Sequence, residues 1–220
     1  MNPVISQYHD LKHCTFMNEL PAPLILASTS PFRRELLARL NLTFQTCKPE
    51  VDETPLPNEP AHLLVERLAV TKAKDARRHF DSGLVIGSDQ VCVIENQVLG
   101  KPGDYEHALE HLRNASGKTV QFLTGLCLYD IDNDRQQSLV EPFDVVFRQL
   151  TDEQISHYLK TEQPYQCAGS FKSEGLGITL FEKLVGDDPN SLVGLPLIKL
   201  VTLFKNWNID VLSAQSGVFP

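Results

Sequence analysis

The sequence lacks the features that define several classes of protein. It has no apolar run long enough to span a membrane, so a membrane-embedded chain is not expected. Its five cysteines are scattered, odd in number and without any C-x-x-C spacing, which argues against a disulfide scaffold and favours reduced thiols in the cytoplasm. Basic residues are fewer than acidic ones, 20 against 28, and the net charge is -8. A broad basic surface for polymeric nucleic acid is therefore not expected, whereas a local basic pocket for a small anion remains compatible.

The chain is long enough, at 220 residues, for one large domain or two small lobes. Residues 1–23 show no hydrophobic periodicity and lack the basic start and apolar core of a signal peptide, so we expect a loosely ordered N-terminal extension. Strands and helices then follow one another without a linker or repeat, which predicts one domain over residues 24–212. Residues 213–220 are expected to form a C-terminal tail.

The most informative stretch lies at the start of this domain. Four apolar residues, 24–27, predict a short buried strand, and the small residues 28–30 predict a turn. Pro31 suits the first position of a helix, with Ser30 as its N-cap, so the free amide groups of the helix would face an anion. Arg33 and Arg34 lie in the first helical turn, where the helix dipole disfavours cations. We therefore expect a negative ligand here, and a phosphate ester is our hypothesis.

Two acidic positions stand out further along the chain. Asp89 lies in an apolar strand pattern that begins at residue 84, and a carboxylate in such surroundings must be paired, metal-bound or functional. Open α/β sheets bind ligands at the carboxyl ends of their strands. The other position is a rigid acidic loop between two prolines, which contains Asp52 and Glu53. A solvated turn is the simpler interpretation of that loop; the alternative is an oxygen ligand for a divalent metal.

Two lysines and one glycine-rich loop have similarly open interpretations. Lys72 lies at the edge of the apolar face of a helix predicted over residues 58–79, from which it either extends to water or reaches a cleft. Lys101 stands on a stiff Gly-Lys-Pro corner, which is a weak signal by itself. The loop over residues 167–177 is polar but has apolar flanks, so we expect it to enter the core.

Together, these stretches resemble the Maf family of nucleoside triphosphate pyrophosphatases from residue 24 to about residue 211. Within that family the sequence is most similar to the branch that acts on 7-methyl-GTP. Branches acting on pyrimidine triphosphates usually carry Arg, Thr and Gln where this chain has Phe32, Gln90 and Glu174. The motifs that carry the resemblance are Ser28-x-Ser30-Pro31-x-Arg33-Arg34, Val51-Asp52-Glu53, Lys72-Ala73, Gly87-Ser88-Asp89, Gly100-Lys101-Pro102, Gly169 to Gly175 and Gly194-Leu195-Pro196.

The resemblance implies a mixed α/β fold, with a twisted sheet in two lobes around a deep nucleotide cleft, as in inosine triphosphate pyrophosphatases. It implies hydrolysis of the α–β phosphate bond of 7-methyl-GTP to 7-methyl-GMP and pyrophosphate, with a divalent cation (Mg, Mn or Co), by a homodimer. The implied catalytic residues are Asp89 as the general base, Lys101, Arg33 and Lys72; the metal ligands are Glu53 and Asp89; and the substrate-binding residues are Ser28, Ser30, Phe32, Arg34, Gln90, Lys172 and Glu174.

Two of these assignments have a physical rationale for base selection. N7-methylation leaves guanine with a positive charge, and a flat cation stacks well on an aromatic ring such as that of Phe32. The carboxylate of Glu174 suits the imino and amino donors of guanine. Two alternatives stay open: a pyrophosphatase for pyrimidine or other modified nucleotides, and a nucleotide-binding regulator of cell division without turnover.

Overall fold

A seven-stranded mixed sheet organises the structure, a computed structural model that describes residues 20, 22–95 and 97–215. The strand order is β2-β1-β3-β5-β6-β7, and β4 pairs with β3 beside that path. In chain order the elements are β1 (Leu24–Ala27), α1 (Pro31–Ala38), β2 (Phe44–Cys47), α2 (Ala61–Asp75), β3 (Leu84–Ile94), β4 (Gln97–Leu99), α3 (Tyr105–Ala115), β5 (Thr119–Asp130), β6 (Arg135–Phe147), α4 (Asp152–Glu162), β7 (Phe181–Val185), α5 (Pro189–Val193) and α6 (Leu197–Asn206).

Parallel and antiparallel pairings divide the sheet. Strand β1 runs parallel to both β2 and β3, whereas β3, β5, β6 and β7 pair antiparallel. Strands β3, β5 and β6 are 11, 12 and 13 residues long, so they extend well beyond the four-residue β1. Their first and second halves therefore belong to different parts of the molecule.

Apolar packing separates these parts into two lobes. In the first lobe, α1 and α6 cover one face of the sheet around Phe204, and α2 covers the opposite face around Ala73. In the second lobe, α3 and α4 pack on the extended part of the long strands around Phe122 and Phe147. Each such fully buried ring contributes about 1.5–3 kcal/mol relative to exposure. The mixed α/β fold expected from the resemblance is confirmed.

Helix α2 lies unusually close to the sheet, and this distance positions the site. A methyl group at Gly87 on β3 would collide with the carbonyl oxygen of Ala69, and one at Gly125 on β5 with that of Val65. Only glycine permits this approach of backbone to backbone. The next turn of α2 consequently places Lys72 directly against β3.

One boundary differs from that expected. The helix predicted over residues 58–79 is α2 followed by a 3₁₀ turn at Ala76–Arg78, because Pro60 is the N-cap and Asn58 has a left-handed φ of 58°. Asp89 lies inside β3, in agreement with the apolar strand pattern around it. The parallel pairing of β3 with β1 ends at Ile86, so Asp89 lies just beyond the parallel part of the sheet.

The predicted termini fall largely outside the described residues. Residues 1–19 and 21 of the expected extension and residues 216–220 of the expected tail are not described, and Ser213–Gln215 form a 3₁₀ turn. The boundaries at residues 24 and 212 therefore stay predictions. Among the helices of the described part, none combines the length and apolar character needed to cross a membrane.

Candidate active site

A cleft of about 840 Å³ opens beside the carboxyl ends of β1 and β2 and extends towards the loop after α4. Arg33, Asp89 and Lys101, which come from three distant parts of the sequence, share this one cavity. Ten of the predicted site residues line it: Ser28, Ser30, Phe32, Arg33, Glu53, Lys72, Asp89, Gln90, Lys101 and Glu174.

Lys72 joins two carboxylates at the centre of the cleft. Its Nζ lies 2.6 Å from Oδ1 of Asp89 and 2.8 Å from Oε1 of Glu53. The side chains of Lys72 and Asp89 are only 7% and 10% exposed, whereas that of Glu53 is 60% exposed. A lysine this buried requires an opposite charge, because an unpaired buried ammonium is costly. The side chain of Lys72 therefore points from α2 into the cleft and not towards solvent.

Arg33 is anchored by one backbone carbonyl group. Its Nε donates to the carbonyl oxygen of Gly194 at 2.9 Å, and the hydroxyl of Ser88 donates to the same oxygen at 2.8 Å. Gly194 has a φ of 111°, and a Cβ there would lie 3.3 Å from the Arg33 Nε. Burial lowers the pKa of Arg33, while the charges of Asp89 and Glu53 oppose this shift. The partly buried guanidinium thus has a fixed position near both carboxylates.

Ser28 and Ser30 accept hydrogen bonds within the turn that the sequence predicts before α1. Ser30 caps α1, because its Oγ accepts a hydrogen bond from the amide of Arg33 at 3.4 Å. Ser28 accepts one from the amide of Ser30 at 3.1 Å. Each hydroxyl is used here as an acceptor, so its own O–H remains able to donate to a phosphate oxygen. The strand-turn-helix arrangement is an anion-binding geometry.

Gln90 is turned towards α5 instead of standing free in the cleft. Its Nε2 donates to the carbonyl oxygen of Ser191 at 2.7 Å and to Oγ1 of Thr124 at 3.0 Å. The hydroxyl of Thr124 donates to the same Ser191 oxygen at 3.0 Å. Because the amide NH₂ group is used inside the protein, Oε1 is the atom of Gln90 that is oriented away from these carbonyls. No local pattern in the sequence indicates a role for Thr124 or Ser191.

Two predicted substrate-binding residues are not among those that line the cleft. Arg34 lies on the exposed side of α1. Adjacent helical residues point about 100° apart, so only one of the two arginines can face the cavity. Lys172 donates from Nζ to the carbonyl oxygen of Glu162 at 3.0 Å and lies 3.8 Å from its carboxylate. It ties the loop after α4 to the end of that helix.

Lys48 lines the cleft but was missed in the sequence analysis. It follows the last residue of β2, and β2 runs parallel to β1. Parallel strands end at the same edge of a sheet, so Lys48 and Ser28 reach the same edge. The position of Lys48 at the cleft follows from the parallel pairing of β1 and β2. A basic residue after a short strand does not by itself indicate a ligand site.

An ion pair fixes the loop that carries Glu53. Arg67 on α2 contacts both carboxylate oxygens of Glu59, at 2.6 Å and 2.7 Å, and also donates to the carbonyl oxygen of Thr54 at 3.2 Å. These contacts lower the pKa of Glu59 to about 2, chiefly through the hydrogen bond from Arg67. The loop is thereby held against the same helix that carries Lys72.

The donor set suits a divalent cation only in part. No cluster of three or more His, Cys, Asp or Glu side chains able to hold a metal occurs in the described part of the chain. Glu53 and Asp89 nevertheless direct carboxylate oxygens at one cationic position, that of the Lys72 ammonium. Two carboxylates, completed by water and substrate phosphates, form the usual magnesium arrangement in phosphate-binding enzymes. The two carboxylates therefore fit a divalent metal whose remaining ligands come from water or a bound phosphate.

The chain is similar to a known protein family over most of its length. A family model described as Maf-like protein matches residues 23–207. A 7-methyl-GTP pyrophosphatase of Pseudoalteromonas translucida (strain TAC 125) is 59% identical over 195 residues, covering 89% of this chain and 96% of that protein. Another, from Polaromonas sp. (strain JS666 / ATCC BAA-500), is 46% identical over 220 residues, the whole of both chains.

Similarity to solved structures is weaker. The Staphylococcus aureus Ham1 protein aligns with a TM-score of 0.42 and 14% identity over 57% of this chain and 71% of that one, which is too low to bear on fold or function. The family model covers most of the chain, and the relatives align over nearly their full lengths. On these matches, the chain belongs to the Maf family.

Proposed function

We propose that this chain is a nucleoside triphosphate pyrophosphatase that hydrolyses 7-methyl-GTP to 7-methyl-GMP and pyrophosphate. The observation that carries the proposal is the convergence of Asp89, Lys72, Glu53 and Arg33 in one cleft. The named relatives, 7-methyl-GTP pyrophosphatases at 46% and 59% identity over nearly their full lengths, supply the substrate.

Charge is the first argument for a triphosphate. Such a ligand carries about four negative charges near neutral pH, which several cations must offset. Arg33, Lys72, Lys101 and Lys48 all border the cleft. The hydroxyls of Ser28 and Ser30 add neutral donors beside the N-terminus of α1.

Asp89 is the proposed general base. One of its oxygens is held by Lys72, so the carboxylate has a defined orientation in a site largely shielded from water. A water molecule that attacks the α-phosphorus would give its proton to this carboxylate. The bond from the α-phosphorus to the bridging oxygen then breaks, and pyrophosphate leaves with that oxygen.

A bound Mg, Mn or Co ion would supply charge neutralisation on the phosphates. Glu53 and Asp89 are the residues proposed to hold it. Glu53 is the more adaptable of the two, because its side chain is 60% exposed on a loop and can move with the ligand.

The methylated base is proposed to lie between Phe32 and Glu174 in the same cleft. Phe32 and Glu174 both line it, and Glu174 accepts a hydrogen bond from the Ser173 hydroxyl at 3.3 Å. An aromatic face and a carboxylate together suit a cationic purine that carries two hydrogen-bond donors. Uncharged pyrimidines offer neither the charge nor that donor pair.

The test is a pyrophosphate-release screen over canonical and methylated nucleoside triphosphates, with and without Mg, Mn or Co. We expect 7-methyl-GTP to give the highest kcat/KM, and we expect activity to depend on the metal. Faster turnover of a pyrimidine triphosphate would transfer the assignment to the other branch of the family. Tight binding without turnover of any nucleotide would favour the regulatory alternative.

Two further expectations accompany this function. Cytoplasmic location is supported by the free thiols of Cys47, Cys92, Cys127 and Cys167 in the described residues. The homodimer implied by the family resemblance stays a prediction, which sedimentation velocity at several protein concentrations would test.

A further inference from the structure

The loop after α4 contains a backbone kink formed by two consecutive residues. Gly169 and Ser170 have φ angles of 73° and 63°, so both adopt the left-handed conformation. Glycine takes this conformation freely, but for serine it is sparsely populated and costs energy. Ser170 is also completely buried, at 0% exposure. A buried polar residue in a strained conformation is stable only where contacts with its surroundings offset the cost of the strain and of burial.

His111 on α3 provides that compensation. Its Nδ1 and the Oγ of Ser170 share a hydrogen bond of 2.9 Å, in which either atom can carry the proton. The two residues are 59 positions apart in sequence, so this contact joins the loop to a separate helix. No catalytic or binding role described above uses His111.

The kink determines the course of the residues that follow it. Phe171 enters an aromatic cluster, with its ring centroid 5.3 Å from that of Phe122 and 4.8 Å from that of Phe181. The amide of Lys172 donates to the hydroxyl of Tyr158 at 3.0 Å. The exposed Glu174 follows at the edge of the cleft. The backbone is therefore held in place up to Lys172. The direction in which the chain leaves Lys172 sets the position of the Glu174 carboxylate.

We propose that His111 is a positioning residue for base selection, holding Ser170 in its left-handed conformation so that Glu174 faces the nucleobase. This inference rests on the proposed function, because it assigns His111 to the recognition of the same 7-methyl-GTP. His111 touches neither the substrate nor the reacting atoms. Its loss would disturb the end of the cleft that reads the base and spare the end that binds the phosphates.

The experiment compares four variants with the wild type: His111→Ala, His111→Asn, Ser170→Gly and the control His157→Ala, which alters an exposed histidine on α4. For each, kcat/KM is measured with 7-methyl-GTP and with unmodified GTP. We expect His111→Ala to lower the preference for 7-methyl-GTP by about fivefold, the value of one hydrogen bond, mainly through KM. Asn can place an amide near the position of Nδ1, so His111→Asn should restore most of the preference.

Ser170→Gly should fold normally, because glycine adopts the left-handed φ without strain. The same change removes the hydroxyl that contacts His111. Because the kink then no longer depends on His111, Ser170→Gly should keep most of the preference, and adding His111→Ala to it should cost much less than His111→Ala alone. An unchanged preference in His111→Ala would overturn the inference, as would an equally large loss when His111→Ala is added to Ser170→Gly, or an equal loss of kcat/KM for both nucleotides. A wild type that does not hydrolyse 7-methyl-GTP would instead refute the proposed function.

Discussion

The Nζ atom of Lys72 lies 2.6 Å from Oδ1 of Asp89, which joins the last turn of α2 to the middle of β3 inside the cleft. With Glu53 as the second partner, one positive and two negative charges meet at this point. The two carboxylates exceed the one ammonium at this contact, while Arg33, Lys48 and Lys101 border the same cleft. A divalent cation held by Glu53 and Asp89 would add positive charge where the phosphates of the proposed substrate bind.

Replacing Asp89 with Asn should abolish pyrophosphate release. The amide cannot accept the proton of the attacking water, and it offers a metal no negative charge, so we expect kcat to fall at least about 100-fold. Lys72 keeps Glu53 as a partner, so the variant should still unfold cooperatively in a thermal scan. Asp81→Asn, in an exposed turn before β3, is the matched control and should retain activity. Substantial turnover by Asp89→Asn would assign the base to another group.

The two neighbouring arginines of α1 should differ in importance. Arg33 lines the cleft and is anchored on Gly194, whereas Arg34 lies on the exposed side of the helix. Arg33→Ala should raise KM for the nucleotide at least about tenfold, the usual scale for a charge-assisted contact with phosphate. Arg34→Ala should have a clearly smaller effect. Equal losses in the two variants would mean that the substrate reaches the outer face of α1.

Glu174→Ala should reduce the preference for the methylated base. Loss of a charged hydrogen-bond acceptor is expected to lower kcat/KM for 7-methyl-GTP by about tenfold or more. Turnover of a pyrimidine triphosphate should be little affected, because no guanine edge is read there. Kinetics on the two nucleotides with one enzyme preparation provide the internal control. An unchanged ratio between them would remove Glu174 from base recognition.

The pair of Arg67 and Glu59 should give stability a specific dependence on acid pH. The pKa of Glu59 is lowered from 4.5 to about 2 in the folded protein. The pair therefore stabilises the fold fully above pH 4.5, and that contribution is lost as the pH falls towards 2. Glu59→Gln should lower the unfolding free energy near neutral pH, and the difference from wild type should shrink as the pH falls.

Urea unfolding at a series of pH values measures this difference. Glu182→Gln, on the exposed face of β7, serves as the control and should follow the wild-type profile. A constant offset between Glu59→Gln and wild type across the acid range would show that titration of Glu59 does not contribute.

Local residue patterns were enough to predict the geometry around the first helix and to select several residues of the candidate site. Pro31 after a small polar residue defines the start of α1, since proline is already suited to the first helical position and Ser30 satisfies a free amide. Glu53, Lys72 and Asp89 could be selected because charged residues in apolar or rigid surroundings need a reason to be there.

How these residues combine depends on packing between segments that are distant in sequence. The contact between Lys72 and Asp89 depends on the close approach of α2 to β3, which two glycines on different strands permit. The separation of Arg33 from Arg34, the turn of Gln90 towards α5 and the contact between His111 and Ser170 likewise depend on partners far away in sequence. Local residue patterns carry helix starts and strand periods, whereas the partner of a buried side chain is fixed by packing between distant segments.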